Sequence, residues 1–225
     1  TLAHQALPRT RWVSRQDFAA LSPDALAEIC SWITEKPATH SRATPDPRYQ
    51  TRVLEDIGKT LDRNARASVV MACGTGKTLV ALWAVEQAKP KSVLVLLPSL
   101  SLVQQTVREW TRHTNLGNRF RFICVCSDDT VAGKRDSDAL ELDTTDLGFR
   151  VDTDPATVNR FLSASDDAVR IVFATYQSSD VVSAGTKGLD PFDIAVFDEA
   201  HKTTGLAGGQ FSRPLTDDHI RIRKR

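Results

Sequence analysis

The hydrophobic positions of the chain form short continuous runs that alternate with segments of helical spacing. The run at 92–97 is apolar almost throughout, as in a parallel-sheet strand covered on both faces. After it, Leu102, Val103, Val107 and Trp110 recur at helical spacing. This alternation predicts an α/β fold with a mainly parallel sheet flanked by helices. Further strands are predicted at 67–70, 119–123, 169–173 and 194–197, and helices opening near 22–23, 45–50 and 154–155.

The first 44 residues have a different pattern from the rest. Ser22 can accept hydrogen bonds from the first free N–H groups of a helix, and Pro23 fits the first helical position. The apolar residues that follow suit a helix packed on a neighbouring core better than one that docks a partner. The segment 36–47 holds three prolines and is typical of a linker. We therefore expect a small helical extension with a linker at 1–44 and one larger domain at 45–225.

Composition is that of an ordinary soluble globular protein. The 225 residues are 41% hydrophobic and 25% charged, with a net charge of +1, so a nucleic-acid site would have to be a local patch. Four cysteines show no C-x-x-C spacing, which favours a reducing cytoplasm over a disulfide framework. No apolar stretch has the length of a membrane span, and no signal peptide opens the chain. A start at Thr1 without methionine suggests a fragment.

A glycine-rich turn follows one of the predicted strands. Gly74 and Gly76 let the backbone bend so that successive N–H groups point into one concavity at the start of a helix. Lys77 can reach the outer phosphates of a nucleotide there, and Thr78 can place its hydroxyl on Mg²⁺. Met71 stands where the full G-x-x-x-x-G-K-[ST] motif has its first glycine. Strand, loop and helix in this order nevertheless predict a phosphate-binding loop.

Two adjacent acids end another predicted strand. The apolar run at 194–197 leads directly into Asp198 and Glu199. Open α/β sheets bind their ligands at the carboxyl ends of the strands. Asp198 can hold Mg²⁺ through water there, and Glu199 can orient and deprotonate an attacking water. Such a pair alone is more typical of a turn, but with the phosphate loop it predicts a nucleoside-triphosphatase site.

These motifs together resemble the superfamily-two helicases and translocases. The box Asp198-Glu199-Ala200-His201 stands behind a loop of the form M-A-x-G-T-G-K-T. The order of other segments is also similar: Tyr49-Gln50, Leu96-Leu97-Pro98-Ser99, and Ala174-Thr175-Tyr176-Gln177-Ser178. Within the superfamily, the chain resembles large bacterial restriction-type helicases and predicted phage- or plasmid-associated helicases. The resemblance covers roughly residues 45 to 225 and implies a RecA-like P-loop domain.

The resemblance also implies site residues and cofactors. It gives catalytic roles to Lys77, Asp198, Glu199 and His201, with ATP and Mg²⁺ as cofactors and with Thr78 and Asp198 at the metal. The nucleotide-binding residues it implies are Tyr49, Gln50, Cys73, Gly74, Thr75, Gly76, Lys77 and Thr78. Gln50 would read the adenine edge, because its amide can accept and donate at once.

Nucleic-acid contacts are implied at the ends of two strands. The implied residues are Pro98, Ser99, Gln104, Thr175 and Gln177, with hydroxyls and helix-start N–H groups holding phosphates. Tyr176 either stacks on a base or belongs to the core, as aromatics at strand ends more often do.

Two charged segments are interpreted as structural. Residues 127–154 carry nine acids against three bases, which would repel a nucleic-acid backbone, so we expect this segment on the far side or as a mobile excursion. Its acids lack the compact spacing of a calcium loop. The basic residues at 219–225 form either a nucleic-acid patch or the polar face of a strand, and the strand is favoured because the family continues into an S/T-A-T turn.

We therefore predict the ATP-hydrolysing motor domain of a DNA helicase or translocase, within a larger restriction or phage-defence enzyme. Expected partners are DNA, or RNA, and a second RecA-like domain beyond Arg225. The 225 residues alone are expected to bind Mg²⁺-ATP and hydrolyse it poorly, because the superfamily takes arginines from the second domain. Two alternatives stay open: an RNA-dependent ATPase clamp, and a nucleotide-dependent interaction switch without translocation.

Overall fold

The computed structural model describes Ser22 and residues 42–126, 151–200 and 216–225. The elements from residue 42 onward belong to one compact unit. The helices are α1 Gln50–Arg63, α2 Lys77–Ala88, α3 Leu100–His113, α4 Pro155–Ser163 and α5 Ser179–Gly185. The strands are β1 Ser92–Leu97, β2 Phe120–Val125, β3 Val151–Asp152, β4 Val169–Thr175, β5 Phe192–Phe197 and β6 Ile222–Lys224, with short 3₁₀ turns at Gly117–Arg119 and Tyr176–Ser178.

The described strands form one six-stranded sheet in the order β3-β2-β4-β1-β5-β6. Every pairing between them is parallel. β1 lies between β4 and β5, so the segments that follow these three strands share the carboxyl edge of the sheet. The predicted α/β fold with a mainly parallel sheet is confirmed.

The strands β1 and β4 are buried on both faces, which explains why their sequences are mainly apolar. Alternate residues of β1 enter two separate cores, Val93 and Val95 on one face and Leu94 and Leu96 on the other. On the first face α2 and α3 cover the sheet, and on the second face α4 and α5 cover it. Trp110 of α3 joins the first core edge-on to Phe173, with ring centroids 5.4 Å apart.

Two helices begin with a side chain that caps their first turn. The Ser99 hydroxyl accepts a hydrogen bond from the Leu102 N–H at 3.3 Å and caps α3. The Asp154 carboxylate accepts from the Ala156 N–H at 2.9 Å, and Pro155 is the first residue of α4. α4 begins at the position predicted from the sequence, near 154–155.

The strand predicted at 67–70 is wrong. No strand is assigned there, and Val70 is 96% exposed. A strand needs backbone hydrogen bonds to a neighbouring strand along its whole length. Here the backbone of Arg225 makes two hydrogen bonds to the segment 65–67. The Ala67 N–H donates to the Arg225 carbonyl, and the Arg225 N–H donates to the Ala65 carbonyl, both at 2.8 Å. The segment before the phosphate loop therefore lies beside the end of β6 without continuing as a strand.

The basic end of the chain is a strand, as the sequence favoured. Ile220 and Ile222 are buried while Arg221 and Arg223 are exposed, so the alternation follows the two faces of β6. The helix predicted near Ser22-Pro23 and almost all of the acidic segment at 127–154 lie outside the described residues. None of the described helices is long and apolar enough to cross a bilayer.

Candidate nucleotide site

The phosphate loop turns sharply and delivers the chain into α2. Gly74 and Gly76 both adopt left-handed backbone angles, with φ of 76° and 82°. The loop is tied to itself because the Thr75 hydroxyl donates to the Ala72 carbonyl at 2.7 Å. Gly76 is the N-cap of α2 and offers no side-chain cap, so the positive end of the helix faces the loop. This arrangement suits an anion such as a phosphate.

The acidic pair lies just past the end of β5. The Asp198 N–H donates to the Leu96 carbonyl at 3.0 Å, which extends the pairing of β5 with β1 by one residue. Asp198 Oδ1 accepts from the Glu199 N–H at 3.0 Å. Glu199 has a φ of 53°, a left-handed conformation that is uncommon for a residue with a side chain. The pair thus leaves the strand in a sharp, fixed turn at the carboxyl edge of the sheet.

The loop and the acids meet at one place. Lys77 Nζ lies 3.7 Å from Glu199 Oε1, and the two side chains are 37% and 30% exposed. Both groups are therefore held by the fold and still open to solvent. A lysine at a helix start facing a carboxylate across a sheet edge provides a cation for phosphates and a base for water.

A divalent cation would find oxygen donors here. Thr78 is the second residue of α2, and Asp198 is half-buried beside Glu199. Within residues 42–126, 151–200 and 216–225, no group of three or more His, Cys, Asp and Glu residues could hold a metal. Mg²⁺ needs no such cage, since it is typically bound through one or two carboxylates together with phosphate oxygens and water. A hydroxyl and a carboxylate fit that pattern.

Gln50 braces the phosphate loop. Its amide nitrogen donates to the Thr75 carbonyl at 2.9 Å, and its amide oxygen accepts from the Asp46 N–H at 2.7 Å. The side chain is buried, and a Cβ on Gly76 would stand only 2.7 Å from its nitrogen. Tyr49 reaches the same Thr75 carbonyl through its hydroxyl at 3.4 Å. Both predicted nucleotide-binding residues therefore lie at the loop, and both contact its backbone.

A protein family matches most of the chain. The family described as Type III restriction enzyme, res subunit, matches residues 45–214. The chain belongs to this family. The predicted restriction-type, superfamily-two identity of a RecA-like domain is thereby confirmed, and the matched residues include both the phosphate loop and the acidic box.

Relatives and solved structures agree with this family. The chain is 29% identical over 185 residues, 82% of its length, to the probable helicase A859L of African swine fever virus, isolate Pig/Kenya/KEN-50/1950. It superimposes on the ATP-dependent Type ISP restriction-modification enzyme LlaBIII bound to DNA with a TM-score of 0.71 and 25% identity, over 93% of the chain. A nuclease-deletion mutant of the Type ISP enzyme LlaGI, in complex with a DNA substrate mimic, gives a TM-score of 0.62 and 28% identity over 82% of the chain.

The chain is short beside these proteins. It spans 19% of the length of the viral relative, 13% of the LlaBIII chain and 17% of the LlaGI chain. It represents the helicase-like domain of this restriction family.

The residues predicted to contact nucleic acid differ in exposure. Pro98, Ser99 and Gln177 are half-buried near strand ends, and Gln104 is only 9% exposed. Thr175 is fully buried, and its hydroxyl shares a 2.8 Å hydrogen bond with that of Ser178. A direct contact between Thr175 and a phosphate therefore does not fit this structure, because the hydroxyl is turned into the core. His201, predicted to be catalytic, lies outside the described residues.

The sequence reasoning named two aromatic residues without predicting their contacts at the site. The Trp110 indole N–H donates to the Thr78 carbonyl at 3.0 Å, so α3 holds the first turn of α2. The Tyr176 hydroxyl donates to the Asp198 carbonyl at 2.8 Å. Tyr176 is fully buried, which settles its two predicted alternatives in favour of the core. An aromatic with a polar tip at the end of a buried strand was the available signal, because such groups usually find a partner when buried.

Proposed function

We propose that residues 45–225 form an ATP-binding and ATP-hydrolysing motor domain of a DNA helicase or translocase. The observation that carries the proposal is the approach of Lys77 to Glu199 at the carboxyl edge of the sheet. Membership of a restriction-enzyme family supports it, and the two similar Type ISP structures, which are described with DNA, favour DNA over RNA. We place the activity in the cytoplasm, on the sequence argument from the cysteines.

The proposed reaction assigns a task to each side chain at the edge. Lys77 holds the outer phosphates of ATP, while the backbone around Gly74 and Gly76 cradles them. Glu199 orients a water and takes its proton as the water oxygen attacks the terminal phosphorus. The bond from that phosphorus to the bridging oxygen breaks, and ADP leaves with the electron pair. Mg²⁺, when bound, neutralises charge on the phosphates.

Other residues complete the site. Thr78 and Asp198 are the proposed holders of the metal, and Tyr49, Gln50, Cys73 and Thr75 line the nucleotide. Pro98, Ser99, Gln104 and Gln177 stay candidates for contact with DNA, and His201 stays a candidate for the catalytic site.

The proposal is tested with two pairs of variants of the full-length natural protein. Lys77→Ala removes the phosphate cation, and Glu199→Gln removes the base while keeping its shape. The exposed pair Lys59 and Glu55, 3.8 Å apart on α1, supplies the matched controls Lys59→Ala and Glu55→Gln. ATP binding is measured with a fluorescent analogue, and hydrolysis is measured with and without DNA or RNA.

We expect Lys77→Ala to weaken ATP binding and Glu199→Gln to abolish turnover while ATP still binds, with the controls unchanged. A loss of about 10²-fold or more in turnover is expected from removal of a general base. Unchanged hydrolysis in Glu199→Gln would exclude Glu199 as the base. Binding of ATP without hydrolysis in the unaltered protein, with Glu199→Gln no different from it, would favour a nucleotide-dependent switch. Stimulation by RNA and not by DNA would favour the RNA clamp.

A further inference from the structure

Tyr176 connects the end of β4 to the acidic box. It is the first residue of the 3₁₀ turn that follows β4, and it has no exposed surface. Its ring packs beside Phe197, the last residue of β5, with centroids 6.5 Å apart. The ring is therefore fixed between two strands that are separated in the sheet by β1.

The Tyr176 hydroxyl donates a hydrogen bond where a neighbouring strand would offer a backbone N–H. The Asp198 N–H still pairs with β1 through Leu96, but the chain turns away immediately afterwards. The Asp198 carbonyl accepts instead from the Tyr176 hydroxyl at 2.8 Å. Asp198 is half-buried, and its carbonyl is bonded by a side chain whose ring is fixed in the core.

The peptide between Asp198 and Glu199 is held at both of its polar groups. Its carbonyl accepts from Tyr176, and its N–H donates to Asp198 Oδ1 at 3.0 Å. Glu199 sits at a φ of 53°, which a residue with a side chain keeps only where its surroundings hold it. That backbone angle sets the direction in which the Glu199 carboxylate leaves the chain, towards Lys77.

We infer that Tyr176 is a positioning residue for the proposed hydrolysis: its hydroxyl fixes the Asp198–Glu199 peptide and so aims the Glu199 carboxylate at the attacking water. The inference rests on the proposed function.

The same bond links the ATP site to a predicted contact with DNA. Gln177 follows Tyr176 in the 3₁₀ turn and is half-buried, so part of it is open to solvent. A displacement of this turn by a bound strand moves the Tyr176 hydroxyl, and with it the Asp198 carbonyl. Stimulation of hydrolysis by DNA is therefore expected to depend on this hydroxyl.

Tyr176→Phe in the full-length natural protein is the test, because it deletes the hydroxyl and keeps the buried ring. kcat and KM for ATP are measured with and without DNA, together with the thermal unfolding midpoint. We expect kcat to fall by about tenfold or more, since small misplacements of a reacting group are costly. KM for ATP and the unfolding midpoint are expected to stay close to the unaltered protein, and stimulation by DNA to shrink.

Ser183→Ala is the matched control. Its hydroxyl donates to the His219 carbonyl at 2.6 Å, a bond of the same kind at a distance from the acidic box. This variant is expected to keep kcat. A Tyr176→Phe protein with the kcat of the control overturns the inference, and so does a kcat loss that is matched by a rise in KM and a fall in unfolding midpoint.

Hydrogen exchange separates this inference from the proposed function. The amides of Asp198 and Glu199 are both hydrogen-bonded, so their exchange reports directly on the peptide that Tyr176 holds. We expect these two amides to exchange about tenfold faster in Tyr176→Phe and unchanged in Ser183→Ala. Unchanged exchange in Tyr176→Phe overturns the inference, whether or not the unaltered protein hydrolyses ATP. A lack of ATP hydrolysis in the unaltered protein would by itself refute only the proposed function.

Discussion

Lys77 and Glu199 face each other across the carboxyl edge of the sheet, with Nζ and Oε1 3.7 Å apart. The lysine opens α2 and the glutamate follows β5, so two elements distant in sequence meet at one point. Both side chains are about one-third exposed, and exposed ion pairs add little to stability because water screens them. The pair therefore adds little to the stability of the fold.

Removal of the Glu199 charge is expected to leave the protein as stable as before. In Glu199→Gln the free energy of unfolding should change by less than about 1 kcal/mol, the usual range for a partly exposed pair. Affinity for ATP should be equal or somewhat higher, because Lys77 no longer faces a competing carboxylate. Urea unfolding and titration with a fluorescent ATP analogue measure these two quantities.

Glu55→Gln is the control for this prediction, since it breaks an exposed pair of similar length on α1. It should show the same small change in stability and no change in affinity. A tenfold loss of ATP affinity in Glu199→Gln would mean that the glutamate itself helps to hold the nucleotide.

The strands and the site edge followed from the sequence because their signals are local. Mainly apolar runs mark β1, β4 and β5, and the segments that follow parallel strands lie at one edge of the sheet. The segment at 67–70 has the same composition and forms no strand. Strand formation there depends on a backbone partner, and a partner is a property of the folded sheet rather than of the run itself.

The contacts that join distant segments could not be predicted from the sequence. The resemblance implied a phosphate contact for Thr175, but the residue is fully buried and its hydroxyl bonds to Ser178 in the 3₁₀ turn that follows. The resemblance implies that Gln50 reads adenine, which stays a prediction, and nothing in the sequence indicated that its amide is bonded to the Thr75 carbonyl. Both contacts depend on the three-dimensional position of a turn, which the spacing of residues along the sequence does not encode.

Gln50→Ala is expected to weaken binding of ATP and GTP alike. Both ends of the amide are bonded to the protein, so its removal loosens the phosphate loop, which every nucleotide uses. Loss of two hydrogen bonds corresponds to about a tenfold weaker affinity. Competition titrations with both nucleotides measure it, and Gln105→Ala, an exposed glutamine on α3, is the control. A loss confined to ATP would show instead that Gln50 reads adenine.

Two glycines in helices should respond in opposite ways to alanine. A Cβ on Gly185, at the end of α5, would meet Val158 Cβ at 2.6 Å and the Pro155 carbonyl at 2.8 Å. Gly185→Ala should therefore lower the free energy of unfolding by about 1–3 kcal/mol through overpacking between α4 and α5. Gly58 in α1 has nothing within 4 Å, so Gly58→Ala should raise it by about 0.5–1 kcal/mol.

Denaturant unfolding measures whether the free energy of unfolding falls in Gly185→Ala and rises in Gly58→Ala. Equal effects at the two positions would mean that α4 and α5 shift apart at little cost, and that the tight contact seen at Gly185 does not restrain the fold.

Cys73 in the phosphate loop is expected to react selectively with thiol reagents. It is exposed, whereas Cys124 and Cys126 are buried in the sheet. Burial raises the pKa of Cys126 to about 12 and that of Cys124 further, so their reactive thiolate is scarce near neutral pH. Labelling with iodoacetamide at pH 8, followed by peptide mass spectrometry, should modify Cys73 far faster than these two.

Nucleotide should slow this labelling if the loop binds phosphates. At an ATP concentration ten times its dissociation constant, with Mg²⁺, the rate at Cys73 should fall about tenfold, because only the free protein reacts. Lys77→Ala supplies the control, since it weakens nucleotide binding and should remove the protection while Cys73 stays exposed. Protection that persists in Lys77→Ala would mean that nucleotide covers Cys73 without needing Lys77. Absence of protection in the unaltered protein, while the analogue binds, would place the nucleotide elsewhere on the protein.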